Sequence, residues 1–423
     1  MKPGYKQTEV GVIPEEWDAV PLSRLGQFKN GINKGSEAFG HGSPFVNLMD
    51  VFGVSSIKSG DAFGLVKTSE AEQKTYDLNH GDVIFIRSSV KPSGVGLTAV
   101  VEVDLPKTVY SGFLIRFRDN NALDIGFKRH CFYSEHFRNK LIGASSVSAN
   151  TNINQDNLKK LLIALPPTTA EQRAIAAALS DVDALLGGLD QLIAKKRDLK
   201  QAAIQQLLTG KTRLPGFSRE WEVKRLGDAG KCLRGVSYKG DSDLSTHDTP
   251  NTKRLLRSNN VQNAIVVTDE VQFVNTARVS SHQILNKGDI LICMANGSKA
   301  LVGKAGLFNV SNGFDYTFGA FMGCFRTDSY EANPTFVFYL FQTVRYRDYI
   351  NNLLAGSSIN NLRPSSIESL EFSTPPVAEQ TAIATILSDM DAELSALMAR
   401  RDKTSDLKQA MMQELLTGRI RLV

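Results

Sequence analysis

Apolar residues follow two different rhythms along the chain. In one they step by four and three: Ile175, Leu179, Val182, Leu186, Leu189 and Ile193, and again Ile383, Leu387, Met390, Leu394 and Leu397, followed by Arg401. That spacing is a heptad seam and predicts two long helices. The stripes match position for position, which favours their pairing with each other over each packing only on its own domain. Pro166-Pro167 and Pro375-Pro376 stand just before the two segments, and proline suits a helix's first turn or the stretch before it. Glu171 and Glu379 fall in the first turn, where the helix dipole favours an acid. Gly210 and Gly418 stand where a left-handed C-cap closes a helix. A helix from about residue 170 to about 209 is about 60 Å long at 1.5 Å per residue. Gly187-Gly188 predicts a weak point, and a bend, at the centre of the first.

The other rhythm is short and β-like. Residues 83–86, 100–103, 113–117, 290–292 and 321–325 read as strands. Residues 127–141 and 335–350 read as helices, the latter with Pro334 near its start. The segments outside the seams are therefore mixed α/β.

The seams belong to a larger repeat. Ala170-Glu171-Gln172 recurs as Ala378-Glu379-Gln380, Leu179-Ser180-Asp181 as Leu387-Ser388-Asp389, Leu199-Lys200-Gln201-Ala202 as Leu407-Lys408-Gln409-Ala410, and Leu207-Leu208-Thr209-Gly210 as Leu415-Leu416-Thr417-Gly418, all at one offset of 208 residues. A solenoid repeats every ~20–50 residues and is excluded. A module that spans half the chain has been duplicated, which predicts a pseudo-two-fold molecule. Between the strong repeats the match is faint: Glu16-Trp17 against Glu220-Trp221, Gly81-Asp82-Val83-Ile84 against Gly288-Asp289-Ile290-Leu291, Phe132-Tyr133 against Phe338-Tyr339, and Ser145-Ser146 against Ser357-Ser358. One scaffold occurs twice, and its globular contents have diverged. The expected division is 1–165, 166–212, 213–374 and 375–423: globular, helical, globular, helical.

At 423 residues, 42% hydrophobic and 22% charged, the chain has the composition of an ordinary globular protein with more than one core. No stretch reaches the ~18 apolar residues that a membrane span needs. The first residues, Met1 to Lys6, have no apolar run behind their charges, so no secretory signal is expected. Cys131, Cys232, Cys293 and Cys324 are far apart and form no C-x-x-C, which argues against a zinc ribbon or a disulfide framework and suits reduced thiols in a cytosol. The net charge of +5 is compatible with a polyanionic partner without requiring one.

Catalytic motifs are missing. Gly210-Lys211-Thr212 resembles the end of a phosphate-binding loop, but Gln205 stands where its first glycine belongs and the second copy reads Gly418-Arg419-Ile420, so a helix cap is the better reading. There is no H-E-x-x-H, no G-x-S-x-G, no G-x-G-x-x-G after a strand, and no Asn- or Asp-Pro-Pro-aromatic tetrapeptide. His130 and His136 share a predicted helix but lie six apart, the wrong spacing for a shared metal face. No catalytic residue, metal or cofactor is expected.

What remains are polar loops rich in Gly, Ser, Asn and Lys, in corresponding places of both halves. The first half offers Lys29, Asn33 and Lys34; Arg87, Ser88, Lys91 and Ser93; and Ser145, Ser146, Asn150 and Asn152. The second offers Arg234, Tyr238 and Lys239; Asn296, Ser298, Lys299 and Lys304; and Ser357, Ser358 and Asn360. Arg and Lys bond guanine, Asn bonds adenine, and Ser and Lys bond phosphate, so these residues suit DNA. Any one such loop is also what an ordinary surface turn looks like. Loops that correspond in place but differ in residue are what two readers of different sequences would show.

The repeats from Pro166-Pro167 through Ala170-Glu171-Gln172 to Leu207-Leu208-Thr209-Gly210, and from Pro375-Pro376 to Gly418, resemble the central and distal conserved regions of the specificity subunit of type I restriction–modification enzymes. The opening Gly11-Val12-Ile13-Pro14-Glu15-Glu16-Trp17 is similar to that family's usual start, and the resemblance covers essentially the whole chain. It implies two globular α/β target recognition domains separated by two long antiparallel coiled-coil helices. It further implies a non-catalytic cytoplasmic subunit that reads a bipartite, asymmetric site in double-stranded DNA, with the helices as a spacer. Its implied partners are two methyltransferase subunits and, through that core, motor–nuclease subunits, with no membrane. A rod of about 60 Å exceeds one ~34 Å turn of B-DNA, so two readers would face grooves about a turn apart. Two other classes compete: an enzyme with an unrecognised site, which a carboxylate–lysine cluster would favour, and a protein-interaction scaffold without sequence-specific DNA binding.

Overall fold

Val83, Ile84, Phe85 and Ile86 are all buried, and alternate members serve different cores. Val83 and Phe85 point to one side with Phe117, Phe127 and Phe132; Ile84 and Ile86 point to the other with Val46, Tyr110 and Leu114. This period of two makes Val83–Ile86 the middle strand of a sheet covered on both faces. In the computed structural model, which describes residues 3–58, 61–147, 149–355 and 360–422, the sheet runs Gly26–Asn30, Leu114–Asp119, Val83–Ile86, Thr98–Val101, Ser56–Ile57. The pairings are antiparallel except the last. A second sheet, Val109–Tyr110, Phe39–Val46 and Gly64–Val66, covers one face.

The other half follows the same plan. Its sheet runs Gly230–Arg234, Met322–Thr327, Ile290–Cys293, Ala305–Leu307, Ile265–Val266, Val261–Gln262. Ile290 and Ile292 join one core, Leu291 and Cys293 the other. Equivalent clamps stiffen both sheets. Asp82 takes the Arg118 guanidinium at 2.7 and 2.7 Å, and Asp289 takes Arg326 at 2.9 and 2.6 Å. The glycine before each Asp has positive φ, +88° at Gly81 and +94° at Gly288, which explains the Gly-Asp pair in both repeats.

The chain divides into two compact units, Met1–Asp190 with Ala399–Val423, and Gln191–Met398. Both boundaries fall inside long helices, Thr169–Leu207 and Val377–Leu415. Inside the first unit Asp183 pairs with Lys408 at 2.6 Å and Asp190 with Arg401 at 3.2 Å. Inside the second, Lys196 pairs with Glu393 at 2.6 Å and Lys200 with Asp391. Partner numbers fall as residue numbers rise, so the helices are antiparallel in each unit. Ile175, Leu179, Leu189, Ile383, Leu387 and Leu394 of the seam are buried; Val182, Leu186, Met390 and Leu397 are half-buried. The long helices pair with each other and also pack into the domain cores. Ile175 and Leu179 enter the first domain's core together with Met412 and Leu415 of the other helix, while Ile383 and Leu387 enter the second core with Ile204 and Leu207.

The first long helix runs from Thr169 to Leu207 through Gly187-Gly188. Several sequence expectations need correction. The helix expected over 127–141 is two, Ile125–Cys131 and Glu135–Gly143, because the Ser134 hydroxyl accepts from Phe137 N–H and caps a new start. The one expected over 335–350 divides the same way into Pro334–Leu340 and Val344–Ala355, with the Thr343 hydroxyl accepting from Tyr346 N–H. The strand expected over 100–103 is Thr98–Val101. Phe113 and Phe321 were expected to begin strands; each instead sits in the turn before Leu114–Asp119 or Met322–Thr327. All four cysteines are buried free thiols. Among the described residues, no helix is long and apolar enough to cross a membrane.

Candidate nucleic-acid interface

In the first unit the chain folds two of the polar segments onto one another. Ser88–Ser89 pairs with Thr151–Asn152, which pairs in turn with Ser146–Val147. Ile153 N–H donates to the Arg87 carbonyl at 3.0 Å, closing the group. Arg87, Ser88, Ser146 and Asn152 are thereby brought together. Ser88 is buried; Ser146 and Asn150 are exposed, and Ser145 bonds the Leu141 carbonyl at 2.8 Å. Lys91 and Ser93 are exposed on the turn Pro92–Gly94 and its flank. The remaining candidates lie elsewhere on the domain. Lys29 stands over the Tyr76 ring at 5.6 Å, Lys34 is held by Glu72 at 2.6 Å, and Asn33 is exposed beside Gly112. The Lys34 charge is thus already answered within the chain.

In the second unit Tyr238, Asn296 and Asn360 line one groove of about 910 Å³. Asn360 Nδ2 donates to the Gly297 carbonyl at 3.1 Å, and Asn296 Oδ1 accepts from Ser298 N–H at 3.0 Å. Ser298, Lys299, Arg234 and Lys239 are exposed, and Lys304 is half-buried. Ser357 and Ser358 lie outside the described residues.

The groove also holds residues that the sequence reading missed: Arg257, Ser258, Asn259 and Phe321. Among the described residues no carboxylate lines it, and Arg257 Nε is buried with no hydrogen-bond partner. One guanidinium and three side-chain amides on a groove without acids match the donor and acceptor pattern of base edges. Arg257 sits in a diverged stretch without a glycine-rich signature, which left no sequence signal for it.

The starts of the long helices carry a different chemistry. Glu171 is fully buried and takes Trp17 Nε1–H at 3.3 Å and the Arg421 guanidinium at 2.5 and 3.0 Å. Glu379, equally buried, takes Trp221 Nε1–H at 3.2 Å and Arg213 at 2.7 and 2.8 Å. These glutamates therefore answer an arginine and a tryptophan, beyond any help from the helix dipole. The following glutamines act as a second lock. Gln172 Oε1 accepts from Asp124 N–H at 2.7 Å and Gln380 Oε1 from Asn333 N–H at 2.9 Å, and both partners cap short helices. Gly210 and Gly418 both have φ +68°, the expected left-handed caps.

Among the described residues no group of three or more His, Cys, Asp or Glu has metal-holding geometry. His130 is buried beside Ser180, and burial pushes its pKa down to about 4, so it is neutral near pH 7. Burial pushes Cys232 up to about 12, leaving an inert thiol.

The family model described as type I restriction modification DNA specificity domain matches residues 14–195 and again 218–404. The chain belongs to that family. The EcoKI specificity subunit of Escherichia coli K12 is 30% identical over 200 residues, and the StySPI specificity subunit of Salmonella potsdam 29%. Each match spans 47% of this chain and 42% of the relative, so the chain covers less than half the length of those curated relatives. A putative MjaX specificity subunit of Methanocaldococcus jannaschii is 24% identical over 99% of this chain and 97% of its own. The crystal structure of an S subunit from M. genitalium has the same fold, with a TM-score of 0.56 at 14% identity over 95% of this chain and 96% of that one. A chain from a structure concerned with assembly and conformational transition of the type I R-M system gives 0.60 at 17% identity, over 96% and 99%.

Proposed function

We propose that this chain is the sequence-specific DNA-recognition subunit of a type I restriction–modification complex. The observation that carries the reading is one scaffold built twice, with the same glutamate clamps and helix caps in both halves, while the loops at matching places differ in residue. Each domain reads one half of a bipartite, asymmetric site. The polar loops named above, Ser357 and Ser358 with them, contact DNA. The long helices set the gap between half-sites and dock two methyltransferase subunits, through which motor–nuclease subunits join. The working division is 1–165 and 213–374 for recognition, 166–212 and 375–423 for spacing and docking. The chain supplies no catalytic group and acts in the cytoplasm.

Selection of bound sequences from a random DNA pool, with the chain and its methyltransferase together, tests this. Enrichment of two unlike short half-sites at a fixed gap supports it. Tight association with the methyltransferase and no enriched sequence would favour a protein scaffold.

A further inference from the structure

Two phenylalanines hold the same place in the two domains, and neither belongs to a core. Phe113 is 54% exposed and Phe321 71%. Each rides a turn with the same bonding. Leu114 N–H donates to the Ser111 carbonyl at 2.9 Å, and Met322 N–H to the Gly319 carbonyl at 2.8 Å. Each turn is tied to the same neighbouring strand, Ser111 N–H to Val46 O at 2.9 Å and Gly319 N–H to Leu256 O at 3.0 Å. Each phenylalanine carbonyl anchors a polar loop. Phe113 accepts from Arg87 N–H, and Phe321 from Met294 and Ala295 N–H. Packing does not require an exposed aromatic ring at one turn twice, in domains that have otherwise diverged.

The turns that follow the two tied strands differ in residue. A short 3-10 turn follows each tied strand, Leu48–Asp50 after Asn47 and Ser258–Asn260 after Arg257. Both close through the same bond, Asn47 N–H to Asp50 Oδ2 at 2.8 Å and Arg257 N–H to Asn260 Oδ1 at 2.9 Å. The first turn presents Met49, exposed; the second presents Asn259, exposed, and Arg257 on the acid-free groove that Phe321 also lines.

We propose that Phe113 and Phe321 are equivalent base-contacting residues, one for each half-site, and that the 3-10 turn beside each carries part of the difference in sequence read. The proposal rests on the DNA-recognition reading above. The ring makes apolar contact with a base edge such as a thymine methyl. Arg257 and Asn259 suit guanine and adenine in the second half-site, and Met49 extends the apolar contact in the first.

The test uses the full chain with its methyltransferase, as wild type, Phe113→Ala and Phe321→Ala, methylating a library of randomised sites read base by base. Each variant is expected to lose about tenfold in methylation rate at the wild-type site. Discrimination is expected to relax at one or two adjacent positions, in one half-site for Phe113→Ala and in the other for Phe321→Ala. Unchanged thermal unfolding shows that the fold is intact. Wild-type rates and an unchanged motif in both variants overturn the pairing, as does equal damage to both half-sites. Loss of methyltransferase binding with sequence preference intact would make these rings protein-docking residues and also overturn it. A wild-type complex without any sequence preference would instead overturn the DNA-recognition reading.

Discussion

Glu171 and Arg421 stand 250 residues apart in sequence and meet through two short charge-assisted hydrogen bonds, Nε to Oε1 at 2.5 Å and Nη2 to Oε2 at 3.0 Å. The carboxylate is fully buried, so the pair tolerates loss of neither member. Arg421→Ala takes the charged partner from the buried carboxylate and leaves it the Trp17 Nε1–H bond, and is expected to destabilise the first unit by about 1–3 kcal/mol. Urea unfolding of Arg421→Ala, Glu171→Gln and the double variant checks this. The double variant should lose less than the sum of the singles. Arg213→Ala, which removes the charged partner of Glu379 at 2.7 Å, should likewise lower the stability of the second unit.

The duplication, both long helices, their caps and the buried strands were legible because they rest on local spacing. The clamp was half legible. Glu171 and Trp17 stand out in the repeats, but Arg421 reaches Glu171 only through the tertiary fold. The candidate interface was legible only as loops. Which loops meet depends on long-range pairing, such as Ser88 opposite Asn152, and a one-sequence pattern does not encode that register. Phe113 read as strand because it adjoins a real one, and only the turn at Ser111 turns its ring outward. Ser134 and Thr343 divide helices that periodicity alone joins, since a capping hydroxyl outweighs a continuing apolar stripe.

Lys91 and Lys299 are exposed, while Arg87 and Lys304 are half-buried. If they face phosphates, reversing each charge should weaken DNA binding and lower the salt slope by about 0.9 per contact. Titrations across salt concentration check this. An unchanged affinity and slope would make them solvated surface charges. Lys34, already paired with Glu72, should alter the slope least when neutralised.

If the helices are the ruler, inserting one turn, about four residues, beside Gly187 and beside Thr404, which lies opposite it between the Asp183–Lys408 and Asp190–Arg401 pairs, should change the gap and leave each half-site intact. The matched insertion keeps the register that pairs Lys196 with Glu393. Motif mapping of the variant reads the gap directly, and an unchanged gap would show that the helices do not set it.

His130 gives a pH signature. Its folded pKa of about 4 lies below the unfolded value, so the unfolded chain binds more protons between about pH 6.5 and 4. Its contribution is present in full above about pH 6.5 and is lost as pH falls through that window, by about 3 kcal/mol at most. Asp183 opposes the shift, and Lys408 and Arg129 add to it. Unfolding free energies of wild type and His130→Gln between pH 4 and 7.5 should converge toward the acid end.

The most direct test of the central claim is a genome-wide map of adenine methylation in the host, with and without the gene for this chain. Loss of one split motif, made of two unlike half-sites at a fixed gap, is the expected result. Retention of every methylated motif, or loss of a palindromic one, would contradict the account.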